Sequence, residues 1–183
     1  MDFEQVVFAR RSIRAFTDAD VPDELLRRLI SYGHCAPSGG NLREWRFIVI
    51  RDPGQKRAVA DATYQRDNES NPPQRFIETA PVIIALCADH RPLMRRYGRR
   101  ALDNLLYLDL SACAENMLLG AVNLGLASCY ISGFRPRQMA EALCLPEYIE
   151  PVALLPVGYP KVEGVQRPHA AQEEVTFFER YSE

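Results

Sequence analysis

The distribution of apolar and polar positions along the chain predicts alternating helices and strands. The first clear stripe of apolar residues at helical spacing consists of Leu25, Leu26, Leu29 and Ile30. It predicts a helix that begins at Asp20 or Pro22 and ends near residues 36–37. The runs 45–50 and 82–87 are rich in aromatic or β-branched residues and predict strands. The second run is apolar throughout, which is typical of a strand covered on both faces.

The remaining pattern adds one long helix and several short elements. Residues 99 to 124 are apolar on nearly all sides and predict a single central or interface helix, which Gly125 ends. The shorter elements are helices over residues 2–9, 53–62 and 136–143, and strands over residues 127–131 and 152–157. This order predicts one domain over residues 1–183, a three-layer sandwich of helices around a central mixed sheet.

Composition narrows the classes of function. The chain has 183 residues and a net charge of −2, which gives no general attraction to nucleic acid or to an anionic membrane. No apolar run approaches the roughly 20 residues that span a bilayer, and the start has no signal-peptide pattern. The five cysteines form no CxxC pair and the three histidines are scattered. We therefore expect buried thiols of a cytoplasmic protein, with neither disulfides nor a metal site.

The first candidate for a binding site is the run Arg10-Arg11-Ser12-Ile13-Arg14. In an extended segment Arg10, Ser12 and Arg14 share one face, because side chains alternate. Guanidinium groups and a hydroxyl suit a phosphate, which accepts paired hydrogen bonds. The alternative is a solvated basic helix end, since cations are favoured at helix C-termini.

Three further segments have the composition of ligand loops. The loop 36–41 contains two glycines, with Ser38 and Asn41 as hydrogen-bonding side chains. Residues 129–134 lie at the end of a strand, where main-chain N–H groups often meet ligands in layered folds. Arg167 follows the last strand and its turn. Taken singly, each segment also fits an ordinary connecting loop, a turn or a solvated arginine.

Together these segments resemble the nitroreductase family of flavin enzymes. Arg10 to Phe16 resembles its RRSxRxF motif, and Ala36 to Phe47 resembles its APSGGNxQPWRF motif. The further matches are residues 115–119, 124–126, 131–134 and 154–160. The resemblance covers nearly the whole chain in the correct order. It implies an α+β fold of nitroreductase type, with the C-terminal segment exchanged in a homodimer.

The resemblance also implies the cofactor flavin mononucleotide (FMN), bound at two sites in the dimer interface. It implies that Arg10, Ser12 and Arg167 bind the phosphate and that Arg14 lies near the ribityl chain and the N1–C2=O edge of the ring. The main chain of Ser132 and Gly133 would reach N5 and O4. The residues that contact the flavin from the partner subunit would be Ser38, Gly39 and Asn41. Arg11 and Ile131 lie in the same motifs and complete the cofactor-binding candidates.

The activity implied is hydride transfer from NADH or NADPH through flavin N5 to a nitroaromatic, a quinone or a similar small conjugated acceptor. A ping-pong mechanism without an indispensable acid–base side chain is expected, because the cofactor carries the redox chemistry. The alternatives on the same scaffold are reductive dehalogenation, enone reduction and flavin fragmentation. A further alternative is a flavin-binding protein without turnover.

The chain departs from the family pattern in three places. Arg43 and Glu44 replace the Gln-Pro that precedes the motif tryptophan. The stretch 88–100 is short where larger members insert helices. Its arginines predict either an exposed charged turn or a docking site for the extra phosphate of NADPH or for an acidic partner. Arg75 is a candidate counterpart of a basic residue that touches the flavin ring in the family.

Overall fold

The fold is seen in a computed structural model, which describes residues 1–66, 68–166 and 168–181. The α-helices of this described part are α1 (Phe3–Ala9), α2 (Asp23–His34), α3 (Pro53–Ala62), α4 (His90–Tyr97), α5 (Arg100–Asp103), α6 (Leu105–Asn123) and α7 (Pro136–Ala142). Its strands are β1 (Trp45–Ile50), β2 (Val82–Asp89), β3 (Ala127–Ser128) and β4 (Ile149–Gly158). Short 3₁₀ segments occur at Gly39–Asn41, Arg75–Thr79 and Gln172–Glu174.

The four strands form one sheet in the order β1-β2-β4-β3, and each neighbouring pair is antiparallel. The sheet differs from the mixed sheet expected from the sequence. Among the described residues, its parallel component is a single isolated bridge between Ser12 and Ser128. The α+β class is confirmed, with antiparallel strands whose connections run through helices.

β2 is buried along its whole length and divides the core into two halves. Ile84 packs with α2 and α6 on one face of the sheet, and Ile83 packs with α3 and α7 on the other face. Successive side chains of a strand point to opposite faces, so an unbroken apolar run is what two helical layers require. The predicted three-layer arrangement is therefore confirmed.

The single helix expected over residues 99–124 is wrong. The structure has α5 and α6 there, preceded by α4. Gly98 has a φ of 72° and ends α4, and Asn104 leaves the helical region with φ −140° and ψ −52°. The Asn104 side chain accepts a hydrogen bond from the Leu105 N–H at 2.6 Å and so caps α6. The basic stretch that was expected to form a turn is largely helical.

α6 is 19 residues long with a mean hydropathy of 1.3, long and apolar enough to cross a membrane by length and composition alone. This departs from the expectation that no apolar run approaches that length. Half of the helix (50 %) is buried inside the protein, where it packs on α2 and the sheet, which is how a core helix also behaves. Gly125, with a φ of 73°, ends α6 as predicted.

Candidate functional site

The arginine-rich segment, residues 10–14, leaves α1 as extended chain and runs beside the end of β3. Ser12 forms a parallel bridge with Ser128, and the Ile13 N–H donates to the Ser128 carbonyl oxygen at 3.0 Å. Ile13 is buried, whereas Ser12 and Arg14 are exposed. The side chains alternate as predicted. The polar face of the segment is thereby fixed next to the residues that follow β3.

Electrostatic effects on Cys129 show that the polar side chains of the segment converge. Burial raises the pKa of the Cys129 thiol. The Arg14 guanidinium, the Ser12 hydroxyl and the Arg10 guanidinium each oppose that rise in pKa. Two cations and a hydroxyl therefore lie near one thiol at the end of the sheet, and all three side chains line the same cleft, a donor set that suits a phosphate.

The guanidinium groups of the segment differ in the partners that they already have. Arg11 Nη1 donates to two main-chain carbonyl oxygens at the end of α1, both at 2.6 Å. Arg10 Nε lies 4.0 Å from Glu115 Oε1, a long contact between partly exposed groups that holds Arg10 weakly. The Arg14 guanidinium lies 5.9 Å from the centre of the Phe76 ring. Arg10 and Arg14 are thus better placed than Arg11 to contact a ligand through their N–H groups.

A cleft of about 560 Å³ lies between the arginine-rich segment on one side and residues 162–166 with His169 on the other. Its volume is within the range of about 300–1,000 Å³ that small-molecule sites have. Gln166 and His169 line the wall opposite the arginines. Arg167, which was predicted to share the phosphate with Arg10, lies outside the described residues, so its role stays a prediction.

The turn that follows Ile131 is fixed by hydrogen bonds that the sequence did not indicate. The Ile131 N–H donates to the Leu154 carbonyl oxygen at 3.0 Å, and the Leu154 N–H donates back at 2.8 Å. The Gly133 carbonyl oxygen accepts from the Tyr64 N–H at 2.9 Å. Gln74 Nε2 donates to the Tyr64 carbonyl oxygen at 2.8 Å. Gln74 and Tyr64 thus support the turn without belonging to any of the motifs.

Ser132 is exposed in this turn and lines a second cleft, of about 300 Å³, with Tyr64, Tyr107 and Tyr130. The three aromatic rings come from different parts of the chain, so their convergence could not be predicted from the sequence.

Arg75, the candidate for a contact with the flavin ring, already has carboxylate partners. Its guanidinium pairs with Asp61 and with Glu78, the latter at 2.8 Å.

The loop Ser38–Asn41 takes its shape from positive φ angles at Gly40 (59°) and Asn41 (56°). The Gly39 N–H donates to Asp109 Oδ2 at 2.8 Å, which ties the loop to α6. In the part of the chain that the structure describes, no hydrogen bond or ion pair joins this loop to the arginine-rich segment or to the turn after Ile131. Of the three predicted regions that the structure describes, one chain therefore brings two together: the arginine-rich segment and the segment 129–134. The contact of this loop with a partner's flavin stays a prediction.

The two residues that depart from the motif behave in opposite ways. Arg43 supports the loop, since its N–H donates to Ser38 Oγ at 3.1 Å and its Nε donates to Asn41 Oδ1 at 2.9 Å. Glu44 is fully buried. Burial and the neighbouring Asp109 carboxyl raise the pKa of Glu44 to about 7. A buried carboxyl at this position was not predicted, because Arg43-Glu44 has the sequence of a solvated loop.

The cysteines and histidines form no metal site within the described ranges, where no group of three His, Cys, Asp or Glu side chains could hold an ion. Cys87, Cys113 and Cys129 are buried free thiols, in line with the sequence analysis. Cys35 and Cys144 are exposed, so the expectation of burial is wrong for these two.

Comparison with known proteins gives one consistent family. The model of the nitroreductase family matches residues 7–159. A Thermus thermophilus protein named NADH dehydrogenase is 30% identical, over 90% of this chain and 89% of its own. A Bacillus subtilis protein named FMN reductase (NAD(P)H) is 29% identical, over 93% of this chain and 71% of its own. The crystal structure of a nitroreductase family protein from Clostridium difficile 630 has a TM-score of 0.81 and 26% identity, and covers 99% of this chain and 100% of its own.

Proposed function

Because the chain belongs to the nitroreductase family, we propose that it is an FMN-dependent NAD(P)H oxidoreductase that reduces a nitroaromatic, a quinone or a similar conjugated acceptor by a ping-pong mechanism. The relatives named NADH dehydrogenase and FMN reductase support the reductant and the cofactor. The observation that carries the proposal is the convergence of Arg10, Ser12 and Arg14 on one edge of the sheet, beside an open cleft.

The residues present fit both ends of FMN, the phosphate and the flavin ring. Two guanidinium groups and a hydroxyl form a donor set that matches a phosphate. Ser128 Oγ, at the same edge, is buried and has no hydrogen-bond partner among the described residues. At the ring end, Ser132 is exposed and Gly133 is half-buried. A β-carbon at Gly133 would lie 3.2 Å from the Tyr64 carbonyl oxygen, so glycine lets the turn pack closely against Tyr64.

When bound, FMN accepts hydride from NAD(P)H and passes the electrons to the acceptor. Arg10 and Ser12 would bind its phosphate, together with Arg167. Arg14 would supply a fixed cation that stabilises negative charge on the reduced ring. The main chain of Ser132 and Gly133, supported by Tyr64 and Gln74, would orient the reactive edge.

The cleft beside Ser132 suits the acceptor. Tyr64, Tyr107 and Tyr130 line it, and its volume of about 300 Å³ fits a small flat molecule. The lining also includes the carboxyl groups of Glu69 and Glu150, the latter hydrogen-bonded to the Tyr107 hydroxyl, and no basic side chain among the described residues. Aromatic walls of this kind favour uncharged conjugated acceptors as a class. A cleft that opens to solvent is also expected of a site that nicotinamide and acceptor occupy one after the other.

A homodimer completes the proposed site, with Ser38, Gly39 and Asn41 contributed by the partner subunit. The support is a set of large apolar side chains that one chain leaves exposed on α1, on α6 and in the C-terminal segment. They include Phe3, Phe8, Leu108, Val175, Phe177, Phe178 and Tyr181. Exposed apolar surface of this extent is typical of a protein interface.

Steady-state kinetics test the proposal. Initial rates are measured with NADH and with NADPH at several concentrations of menadione or of a nitrofuran. We expect yellow, FMN-containing protein and parallel lines in double-reciprocal plots, because one substrate leaves before the other binds. FMN-loaded protein that turns over with neither nicotinamide would refute the reductase function.

A further inference from the structure

Two carboxyl groups that the proposed reaction does not use lie beneath the loop Ser38–Asn41. Glu44 is 0% exposed, and neither of its carboxyl oxygens accepts a hydrogen bond from a donor in the described part of the chain. The Asp109 carboxyl of α6 is close enough to help raise the pKa of Glu44, through hydrogen bonding and charge repulsion. Asp109 Oδ2 in turn accepts the Gly39 N–H at 2.8 Å. The contacts run from Glu44 through Asp109 to the main chain of the loop.

Two carboxylates cannot hydrogen-bond to each other unless one of them carries a proton. Burying both as charged groups is costly, because like charges repel strongly away from water. Asp109 already accepts the Gly39 N–H, a role that an ionised carboxylate fills well. The donor that acts on Glu44 is its own main-chain N–H, which lowers the pKa of Glu44 less than burial raises it. The proton therefore belongs on Glu44, from which it is donated to Asp109.

The other groups that face Glu44 leave this assignment unchanged. Arg46 of β1 directs its guanidinium Nη2 to Asp89 Oδ2 at 2.8 Å, and it meets Glu44 at the main-chain carbonyl oxygen, 3.3 Å from Nη1. Cys113 of α6 lies nearby, and burial with the Glu44 charge raises the pKa of its thiol to about 12, so it stays neutral. The positive charge of Arg46 therefore lowers the pKa of Glu44 less than burial raises it.

We propose that Glu44 and Asp109 share one proton and that this carboxyl pair is a positioning element, which holds the Gly39 amide and with it the flavin-contacting loop. The inference rests on the proposed function in one respect, the assignment of this loop to FMN. Loss of the proton places two like charges side by side, and their repulsion loosens the anchor of Gly39. Since the pKa of Glu44 is raised to about 7, loosening occurs near neutral pH. The proline of the family motif cannot respond in this way.

Amide hydrogen exchange tests the pair without relying on activity. The protection factor of the Gly39 amide is measured by NMR, relative to intrinsic exchange, at one pH unit below and one above the Glu44 pKa of about 7. In the wild type, protection falls about tenfold or more as pH rises, the change expected when a charge-assisted hydrogen bond is lost. In Glu44→Gln, protection stays constant, because the amide donates to Asp109 at either pH.

FMN affinity provides the second readout, by quenching of flavin fluorescence on the same proteins. The FMN phosphate titrates in the same range, so the pH dependence is compared between variants. The wild type loses more affinity at high pH than Glu44→Gln does. Asp109→Asn is the mirror variant, whose amide donates to Glu44 and whose oxygen still accepts from Gly39, and it also loses the pH response. Glu24→Gln, at an exposed position of α2, serves as the control and behaves as the wild type.

Equal pH dependence of Gly39 protection in the wild type and Glu44→Gln overturns the proposal, even if FMN binds normally. A pH response of Gly39 that Glu44→Gln abolishes supports the carboxyl pair, even if the protein binds no FMN at all. That second case would refute the proposed function alone. The two failures are therefore distinguishable.

Discussion

At the scale of single residues, the position of Arg14 suits a charge that stabilises a reduced ring. Its side chain is exposed and can be reached by a ligand. The main chain on either side is nevertheless fixed, because Ile13 and Phe16 are buried. A cation held in place by the fold needs no reorganisation when negative charge develops, and this is the condition for effective electrostatic stabilisation.

We expect Arg14→Gln to lower the two-electron midpoint potential of bound FMN by about 30–60 mV, because 30 mV corresponds to about 1.4 kcal/mol for a two-electron couple. Spectroelectrochemical titration measures the potential. Arg14→Lys should retain most of the wild-type value. Arg57→Gln, at an exposed position of α3, is the matched control. A potential unchanged in Arg14→Gln would remove Arg14 from the ring contact.

Glu44 predicts a pH dependence of stability with a definite sign. The pKa of its carboxyl is raised from 4.5 to about 7 in the folded protein, so the folded state holds the proton more tightly than the unfolded chain. The stability that this contributes is fully present below pH 4.5 and is lost as pH rises to about 7. The contribution is on the order of 3 kcal/mol. Relative to Glu44→Gln, the wild type should lose that stability in urea unfolding over this range, and parallel profiles would contradict the assignment.

Single residues also show what the sequence could and could not predict. The alternation of Ser12, Ile13 and Arg14 was predictable, because it depends only on extended main chain. The burial of Glu44 was not, because a charged residue beside Arg43 has the pattern of a solvated loop. Asp109, the carboxyl that helps raise its pKa, is far away in the chain. Gln74 was missed for the same reason, since it reaches Gly133 through the fold alone.

At the scale of elements, one carboxylate organises the junction of β2 and α4. Asp89 caps α4 by accepting from the Arg91 N–H at 3.0 Å, and it also accepts from Arg91 Nη2 at 2.7 Å and Arg46 Nη2 at 2.8 Å. These contacts link the helix to β1 as well as to β2. The hydrogen bonds from Arg91 lower the pKa of Asp89 to about 2.

We expect Asp89→Asn to lower the free energy of unfolding by about 2 kcal/mol. The loss is smaller than for a fully buried ion pair, because Arg46 and Arg91 are half exposed and water screens their charges. The contribution of the carboxylate is present above pH 3.8 and is lost as pH falls toward about 2. The midpoint of urea unfolding at neutral pH measures the loss. Asp18→Asn, at an exposed position, should leave the midpoint unchanged. A loss below about 0.5 kcal/mol, the range of ordinary surface substitutions, would contradict this role of Asp89.

The elements themselves were predictable where the apolar pattern was strong. The strand over 45–50 was predicted with the bounds that β1 has, because the run is short and uniform. The break at Asn104 was not predicted, since the leucines on both sides keep helical spacing. A side-chain cap decides that break, and it leaves little trace in the hydrophobic pattern.

At the scale of the whole molecule, the proposed site needs a second chain. The loop Ser38–Asn41 and the arginine-rich segment share no hydrogen bond or ion pair among the described residues. Leu108 of α6 is 65% exposed in the single chain, on the half of the helix that the core does not bury. Both features follow if α6 lies in a homodimer interface.

We therefore expect twice the chain mass of 20.8 kDa in light scattering and a shift toward monomer, with loss of FMN, in Leu108→Glu. A charge in a closed apolar interface is costly, which is the reason for the shift. Val49→Glu replaces an exposed apolar residue of β1 and should remain dimeric. Wild-type protein that is monomeric and still holds FMN would contradict the shared site.

The sequence predicted the layers and the order of the motifs, because both follow from local pattern along the chain. It could not specify that the sheet is antiparallel, since strand direction depends on how the connections run between layers. The convergence of Tyr64, Tyr107 and Tyr130 on one cleft could not be predicted from the sequence either. Such contacts between distant segments are properties of the folded chain.

The FMN content of purified protein tests the central claim, that the arginine-rich segment holds the cofactor, most directly. Flavin released by denaturation is quantified by absorbance for the wild type, for Arg10→Glu and for Arg27→Glu, a control on the exposed face of α2. We predict one FMN per chain in the wild type and in the control, and nearly FMN-free protein for Arg10→Glu, because a charge-assisted phosphate contact is replaced by repulsion. Arg10→Glu protein that retains as much FMN as the wild type would contradict the account.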